Sequence, residues 1–230
     1  MTRKAIKRTL LLALLFLLLI PGTQALAASK KMKAMKAYSK YLAAHVADPS
    51  YEKYYDDASY SPENMDYVSS FFLYDINKDK VPELFAFTTV NFRWFNVRIF
   101  TYNNGNVKLC KIKGVGDAEF TDRATANGSY SFYICSKKHI HNMWWGGSTP
   151  MGYASSYETV YKPSKGKLKV YLSKDDKFTG MSSTYKKYGK EITAEKYASL
   201  TSGCSAKKIK SYENTAKNRK KLKKGKLKVN

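Results

Sequence analysis

Acidic residues are scarce in this chain: 18 Asp and Glu stand against 41 Lys and Arg, giving a formal net charge of +23. After the first segment there is no second apolar run long enough to cross a bilayer, which needs about 20 residues. Motifs of nucleophilic or phosphate chemistry are missing as well: there is no Gly-x-Ser-x-Gly elbow, no His-Glu-x-x-His helix and no phosphate loop. These absences leave no further candidate membrane-spanning helix and leave an enzyme as the lesser reading, since carboxylate pairs for glycoside hydrolysis are set in space rather than in sequence. Cysteine is limited to three residues, Cys110, Cys135 and Cys204. An odd count leaves at least one thiol unpaired or paired between chains. Cys110 and Cys135 fall in predicted strands and form the candidate bridge, and no spacing resembles a zinc or redox motif.

What is present begins at the N-terminus. Arg3, Lys4, Lys7 and Arg8 precede an unbroken apolar run from Leu10 to Ile20, which Pro21 and Gly22 end. Ala25-Leu26-Ala27 then offers small residues where a signal peptidase reads, so residues 1–27 read as a cleavable secretory signal peptide and Ala28 as the new N-terminus. The apolar run is about half a membrane span, so an uncleaved anchor is the weaker alternative. No Cys lies near the cleavage point to carry a lipid.

The expected organisation is residues 1–27 as signal peptide, 28–216 as one globular domain and 217–230 as a basic tail. The mature chain of 203 residues carries a charge of about +19, because the removed segment holds four basic residues and no acid. A field of that sign attracts polyanions within a Debye length of about 8 Å. For an exported protein this favours anionic cell-wall polymers, lipid headgroups or acidic polysaccharides over nucleic acid. Eight basic residues between Lys217 and Lys228, with Lys217, Arg219, Lys220, Lys221, Lys223 and Lys224 foremost, make that segment the candidate anionic-surface contact.

Periodicity predicts an α+β fold, an antiparallel, curled β-sheet with an N-terminal helix and C-terminal helices. Met32, Met35, Tyr38, Leu42 and Val46 recur at helical steps across residues 30–47, and Asp48-Pro49 ends the pattern. Residues 50–66 read as a loop. Alternating runs follow at 69–74, 83–90, 94–102, 107–113, 130–135, 155–161 and 167–172, with Asn104-Gly105 and Asn127-Gly128 as hairpin turns. After Gly180 the sequence suits helices, one capped by Thr193 and one by Thr215. The hexapeptide Lys-Gly-Lys-Leu-Lys-Val occurs at 165–170 and 224–229, and the second copy is a candidate edge strand.

The segment from Phe72 to Leu84 carries the clearest chemistry. Asp75, Asn77 and Asp79 place oxygen side chains at alternate positions, the carbonyl of Val81 follows, and Glu83 can close the shell. Calcium accepts six to eight such oxygens at about 2.3–2.6 Å. The sixth loop position, where a left-handed turn favours Gly, is Lys80, and Ala86 stands at the twelfth, which excludes an EF-hand. A lysine ammonium neutralising the carboxylates is the competing reading. His139 and His141, at alternate positions, offer two zinc ligands, with Asp117, Glu119 or Asp122 as conceivable partners and no third ligand placed; structural histidines are the stronger reading. Trp144 and Trp145, with Trp94 and many Tyr, offer an aromatic platform for sugar rings, although such aromatics usually pack in a core.

The loop resembles the Asp-x-Asn-x-Asp-Gly-x-x-Glu-Leu calcium loops of dockerin-like and integrin-type β-repeat proteins. It is closer to a set of exported proteins of Gram-positive anaerobes that join an N-terminal helix, one such loop, a Tyr-x-x-Gly-x-Val hairpin and an Asn-Thr-x-x-Asn-Arg helix. Tyr102 to Val107 and Asn214 to Arg219 stand in the matching places. The resemblance implies calcium at Asp75, Asn77, Asp79, Val81 and Glu83. The expected function is a secreted, non-catalytic module with a weak calcium-binding hairpin loop that associates with anionic cell-envelope polymers; the alternative is an extracellular glycan-binding or glycan-processing protein.

Overall fold

The structure, a computed structural model, describes residues 26–46, 67–90, 94–123, 128–148, 153–164, 167–177 and 182–230. Residues 1–25 of the expected signal peptide, the Asp48-Pro49 stop, the loop expected at 50–66 and the Asn127 turn position lie outside them. The chain is α+β. Helix α1 (26–44) is followed by two largely antiparallel sheets and by helices α2 (Ala194–Thr201) and α3 (Ala216–Lys223).

The first sheet is ordered β14-β1-β2-β3-β4, with β7 also paired to β3. Its strands are β1 (Ser70–Tyr74), β2 (Glu83–Val90), β3 (Trp94–Asn103), β4 (Asn106–Leu109), β7 (Glu119–Arg123) and β14 (Tyr212–Glu213). Asn104 and Gly105 join β3 to β4 with φ of 46° and 87°. A two-residue hairpin turn with both φ positive matches the strand twist, which is why Asn-Gly marks it.

β1 shows how the layers form. Its residues Phe71, Phe72, Leu73 and Tyr74 are all buried. Because alternate residues face opposite ways, Phe71 and Leu73 pack with Met35, Tyr38 and Leu42 of α1, while Phe72 and Tyr74 pack with Phe85, Ile99 and the second sheet. Each buried Phe or Leu side chain contributes roughly 1.5–3 kcal/mol through its apolar burial. Val46, expected on the helix face, is exposed beyond the helix end.

The second sheet is ordered β13-β12-β11-β10-β9-β8. It comprises β8 (Gly128–Ile134), β9 (Ile140–Ser148), β10 (Tyr153–Ser164), β11 (Lys167–Lys177), β12 (Ser182–Lys187) and β13 (Lys190–Glu191). β12 occupies sequence expected to be helix-compatible; its polar residues pair with the outer edge of β11, where little burial is required. The sheets communicate through an excursion of the chain. After Cys110, strands β5 (Lys111–Ile112) and β6 (Gly116–Asp117) leave the first sheet, Ile112 pairs in parallel with Leu168, and the chain returns at Ala118. Cys110 N–H donates to the Ile99 carbonyl at 2.7 Å and Ala118 N–H to the Cys110 carbonyl at 2.7 Å, closing the seam.

Residues 217–230, expected as a solvated tail, are docked on the domain. Leu222 and Leu227 are buried in the α1 cluster, and Asn230 N–H donates to the Leu73 carbonyl at 2.9 Å. The second Lys-Gly-Lys-Leu-Lys-Val copy therefore forms no edge strand; its Leu227 and Val229 serve as apolar anchors. Gly225, at φ 68°, sits where a Cβ would come within 2.8 Å of Met32 Sδ. The Asn-Thr-x-x-Asn-Arg motif explains the docking. Asn214 Nδ2 faces the carbonyls of Leu42 at 2.9 Å, His45 at 3.2 Å and Val68 at 3.0 Å. Thr215 caps α3, and Arg219 donates to the Asn214 carbonyl at 2.6 Å. No helix among the described residues is long and apolar enough to cross a membrane.

Candidate functional site

Three places concentrate chemistry: the β1–β2 loop, the Cys/His group at the β8–β9 turn, and an aromatic hollow on the second sheet.

The loop from Asp75 to Pro82 is shaped by its own side chains. Lys80 N–H donates to Asp75 Oδ2 at 3.1 Å, Asp79 N–H to Asn77 Oδ1 at 3.0 Å and Val81 N–H to Asp79 Oδ1 at 2.8 Å. The Asn77 and Asp79 bonds, each to the N–H two residues on, are Asx turns, and the Asp75 bond folds the loop back on its start. Lys78 and Lys80 adopt φ of 63° and 69°, so Lys80 takes the left-handed conformation that Gly would hold more easily. Glu83, only 3% exposed, accepts from Ile76 N–H at 3.0 Å and from Asn77 Nδ2 at 3.1 Å. Burial pushes its carboxyl up to about 8, with Asp79 and Asp75 adding in the same direction and the Ile76 bond opposing. Asp75 Oδ1 is buried without a hydrogen-bond donor. Lys138, at φ 61°, donates its ammonium to the Asp75 carbonyl at 3.3 Å, and among the described residues no ammonium or guanidinium forms an ion pair with the three carboxylates. Tyr38 of α1 donates to the Pro82 carbonyl at 3.0 Å, tying the loop to the helix; burial, then Glu83, pushes its phenol up.

The cysteines pair differently from the sequence expectation. Cys135 is bonded to Cys204, with Cα atoms 5.3 Å apart, and Cys110 is a buried free thiol pushed up to about 11 by burial and then by Glu83. Cys110 sits on the seam between the sheets, in one core cluster with Ile134 and Ile140, and outside the Cys/His group. Among the described residues, one group of Cys, His, Asp or Glu has its ligand atoms within 4.8 Å of one another: Cys135, His139, His141 and Cys204. The loop carboxylates stand further apart, so a cation there would have to draw them inward.

His141 Nδ1 lies 2.6 Å from Glu158 Oε1, and its Nε2 lies 3.3 Å from Cys204 Sγ. Tyr197 of α2 donates to Glu158 Oε2 at 2.7 Å. Burial favours the neutral form of Glu158, but the bonds from His141 and Tyr197 outweigh it and hold the carboxyl below its ordinary range. Burial, with Lys162 next, lowers His139 to about 4, so its imidazole is neutral. Asp117 instead pairs with Lys111 at 2.6 Å and Glu119 accepts from Asn96 at 2.9 Å; neither joins the histidines. The Asp122 side chain lies outside the described residues.

Trp144 and Trp145 point to opposite faces of β9. Trp144 stacks on Tyr157 at 5.9 Å between ring centroids, while Trp145 is 52% exposed. The side chains of Ser131, Met143, Trp145, Ser156, Glu158 and Lys174 share the other face, where a hollow of about 190 Å³ opens. Glu158 thus belongs both to this hollow and to the His141 network. The Trp94 side chain lies outside the described residues. Sequence reading missed Cys204 and Glu158 as partners of the histidines. The one available signal was Glu158 itself, an acidic residue inside an aromatic-rich strand.

On the proposed polyanion face, Lys217, Lys220, Lys221, Lys223 and Lys224 are exposed, whereas Arg219 is occupied by Asn214. No family model, curated protein or solved structure matches the chain.

Proposed function

We propose that this chain is an exported, calcium-stiffened module that adheres to anionic cell-envelope polymers. The observation that carries the reading is the β1–β2 loop: one oxygen each of Asp75, Asn77 and Asp79 is held by a loop N–H, while Asp75 Oδ1 is buried with no donor. A buried carboxylate oxygen without a partner is costly. A cation bound by Asp75, Asn77, Asp79, the Val81 carbonyl and Glu83 would relieve that cost. It would also offset the charge of Asp75 and Asp79, which form no ion pair with a lysine or arginine among the described residues. Calcium suits the all-oxygen set, and an extracellular module of this type binds with a dissociation constant on the order of 10⁻⁴ to 10⁻³ M.

The adhesive part of the reading rests on the exposed lysines of α3 and the turn after it, where Lys217, Lys220 and Lys224 fall on one helical face. The reading is tested on purified wall teichoic acid, which the protein should bind in low salt and release as salt screens the contact. Replacing those three lysines by Glu should abolish retention while leaving the melting temperature within a few degrees. Salt-insensitive retention contradicts the adhesive reading. Calorimetric titration with calcium tests the loop separately: one ion per chain is expected, and no heat from Asp75→Ala.

A second reading has its own observation. Trp145 offers a half-exposed indole beside Glu158, Lys174 and Ser156, the combination of stacking surface and hydrogen-bonding groups that sugars need. Quenching of tryptophan fluorescence by wall oligosaccharides, lost in Trp145→Ala, is its test.

A further inference from the structure

We propose that Cys135, His139, His141 and Cys204 form a tetrahedral zinc site when the disulfide between the two cysteines is opened. The inference is independent of the calcium loop, which lies in the other sheet.

The four ligand atoms already lie within 4.8 Å of one another. With zinc–sulfur bonds of about 2.3 Å and zinc–nitrogen bonds of about 2.0–2.1 Å, tetrahedral ligand atoms stand roughly 3.3–3.8 Å apart. The two sulfurs must separate, His141 Nε2 already lies 3.3 Å from Cys204 Sγ, and a pair at the 4.8 Å limit must close by about 1 Å. The scaffold that holds them together does not rely on their bond. Ser136 N–H donates to the Ser205 carbonyl at 2.8 Å, Ser136 Oγ to the Gly203 carbonyl at 3.0 Å and Lys207 N–H to the Ile134 carbonyl at 2.9 Å. These bonds keep the Cys204 segment against the β8–β9 turn, and Cys135 N–H donating to the His139 carbonyl at 2.9 Å fixes the turn itself.

The imidazoles are oriented for a metal. Glu158 holds His141 through Nδ1 at 2.6 Å, and Tyr197 holds Glu158, which leaves Nε2 facing the sulfurs. A carboxylate behind a ligating histidine sets its tautomer and raises its basicity, a recurrent outer-shell device of zinc sites. His139, 8% exposed, makes an edge contact with the Tyr171 ring and brings a nitrogen into the same group. Two thiolates and two imidazoles match zinc and not calcium, which demands oxygen.

Opening takes a two-electron reductant, for which an external dithiol serves. One of its thiolates attacks a sulfur of the Cys135–Cys204 bond to give a mixed disulfide, and its second thiol displaces that link. Two electrons pass to the protein, the dithiol becomes a disulfide, and two cysteine thiols result. Zinc then takes both as thiolates, and two protons leave to solvent.

The test uses the full mature chain, reduced without oxygen by a phosphine that ends as its oxide, then freed of reductant. Titration with cobalt(II) should give the visible bands of a tetrahedral site together with thiolate charge-transfer absorption, saturating at one equivalent and bleached by zinc. The oxidised chain should give neither. His139→Ala and His141→Ala keep the disulfide, so their oxidised forms show by melting that they are folded; after reduction each should bind zinc at least tenfold more weakly. Should the reduced chain lose its circular dichroism, zinc should restore it. The proposal is overturned by a reduced chain that takes up no cobalt, by bands that survive both histidine variants, or by a reduced, unfolded chain that zinc fails to refold.

Discussion

The backbone N–H of Lys80 donates to one carboxylate oxygen of Asp75 across 3.1 Å, while the other oxygen of the same carboxylate is buried with no donor. The pair marks a loop folded back on its first residue, with the left-handed corner occupied by a residue poorly suited to it. Lys80 at φ 69° holds a conformation costing about 1 kcal/mol or more for a residue with a Cβ. Lys80→Gly should therefore raise the unfolding free energy by roughly 1 kcal/mol in urea titrations. It should also tighten calcium binding, because a positive charge leaves the loop. A destabilised glycine variant would contradict the geometry.

Much of this was legible beforehand because it is local. The Asn104-Gly105 turn, the oxygen spacing from Asp75 to Glu83 and the Thr193 and Thr215 caps each depend on neighbours a few residues away. The Cys/His group was not legible for the opposite reason. Cys135 and Cys204 are 69 residues apart, and Glu158 reaches His141 only because β9 and β10 pair in one register. The C-terminal segment misled through composition, since two apolar anchors, Leu227 and Val229, outweigh a run of exposed lysines. The division into two sheets follows from the short excursion at Cys110 and Ala118, which no periodicity marks.

Asn214 is the clasp that joins α1, β1 and α3. Asn214→Ala leaves the carbonyls of Leu42, His45 and Val68 without their shared donor. At about 1–3 kcal/mol for a buried polar group left unmade, the variant should lose roughly 3 kcal/mol in urea unfolding. A loss below about 0.5 kcal/mol would show that the clasp is not structural.

The Cys135–Cys204 bond closes a long loop, for which chain entropy gives about 4 kcal/mol as an upper range. Unfolding in urea with and without reductant should show a loss of this order. Alkylation by iodoacetamide at pH 8 should leave the unreduced native chain unmodified, because Cys110 is buried and its thiol stands at about 11. One alkylated residue per chain should appear in denaturant. Two or three would contradict the pairing.

Glu83 gives the metal-free protein a pH signature. Its carboxyl stands at about 8 in the folded chain against an ordinary 4.5, so between those values the folded state holds a proton that the unfolded state has released. Stability therefore falls as pH rises through that window, and the favourable contribution is fully present only below about 4.5. With a chelator present, urea unfolding should give a lower free energy at pH 8.5 than at pH 5.5. Glu83→Gln should reduce that difference by more than 1 kcal/mol. An unchanged slope in the variant would remove Glu83 from the explanation.

The central claim is that the β1–β2 loop binds calcium, and a thermal melt with and without the ion tests it most directly. At a calcium concentration tenfold above the dissociation constant, binding to the folded state adds about 1.4 kcal/mol. For a chain of this size the melting temperature should rise by roughly 3–6 °C. Asp79→Ala should melt at one temperature in calcium and in chelator alike. A wild-type melting temperature that is the same in chelator and in 10 mM calcium, on the order of ten to a hundred times the expected dissociation constant, would contradict the account.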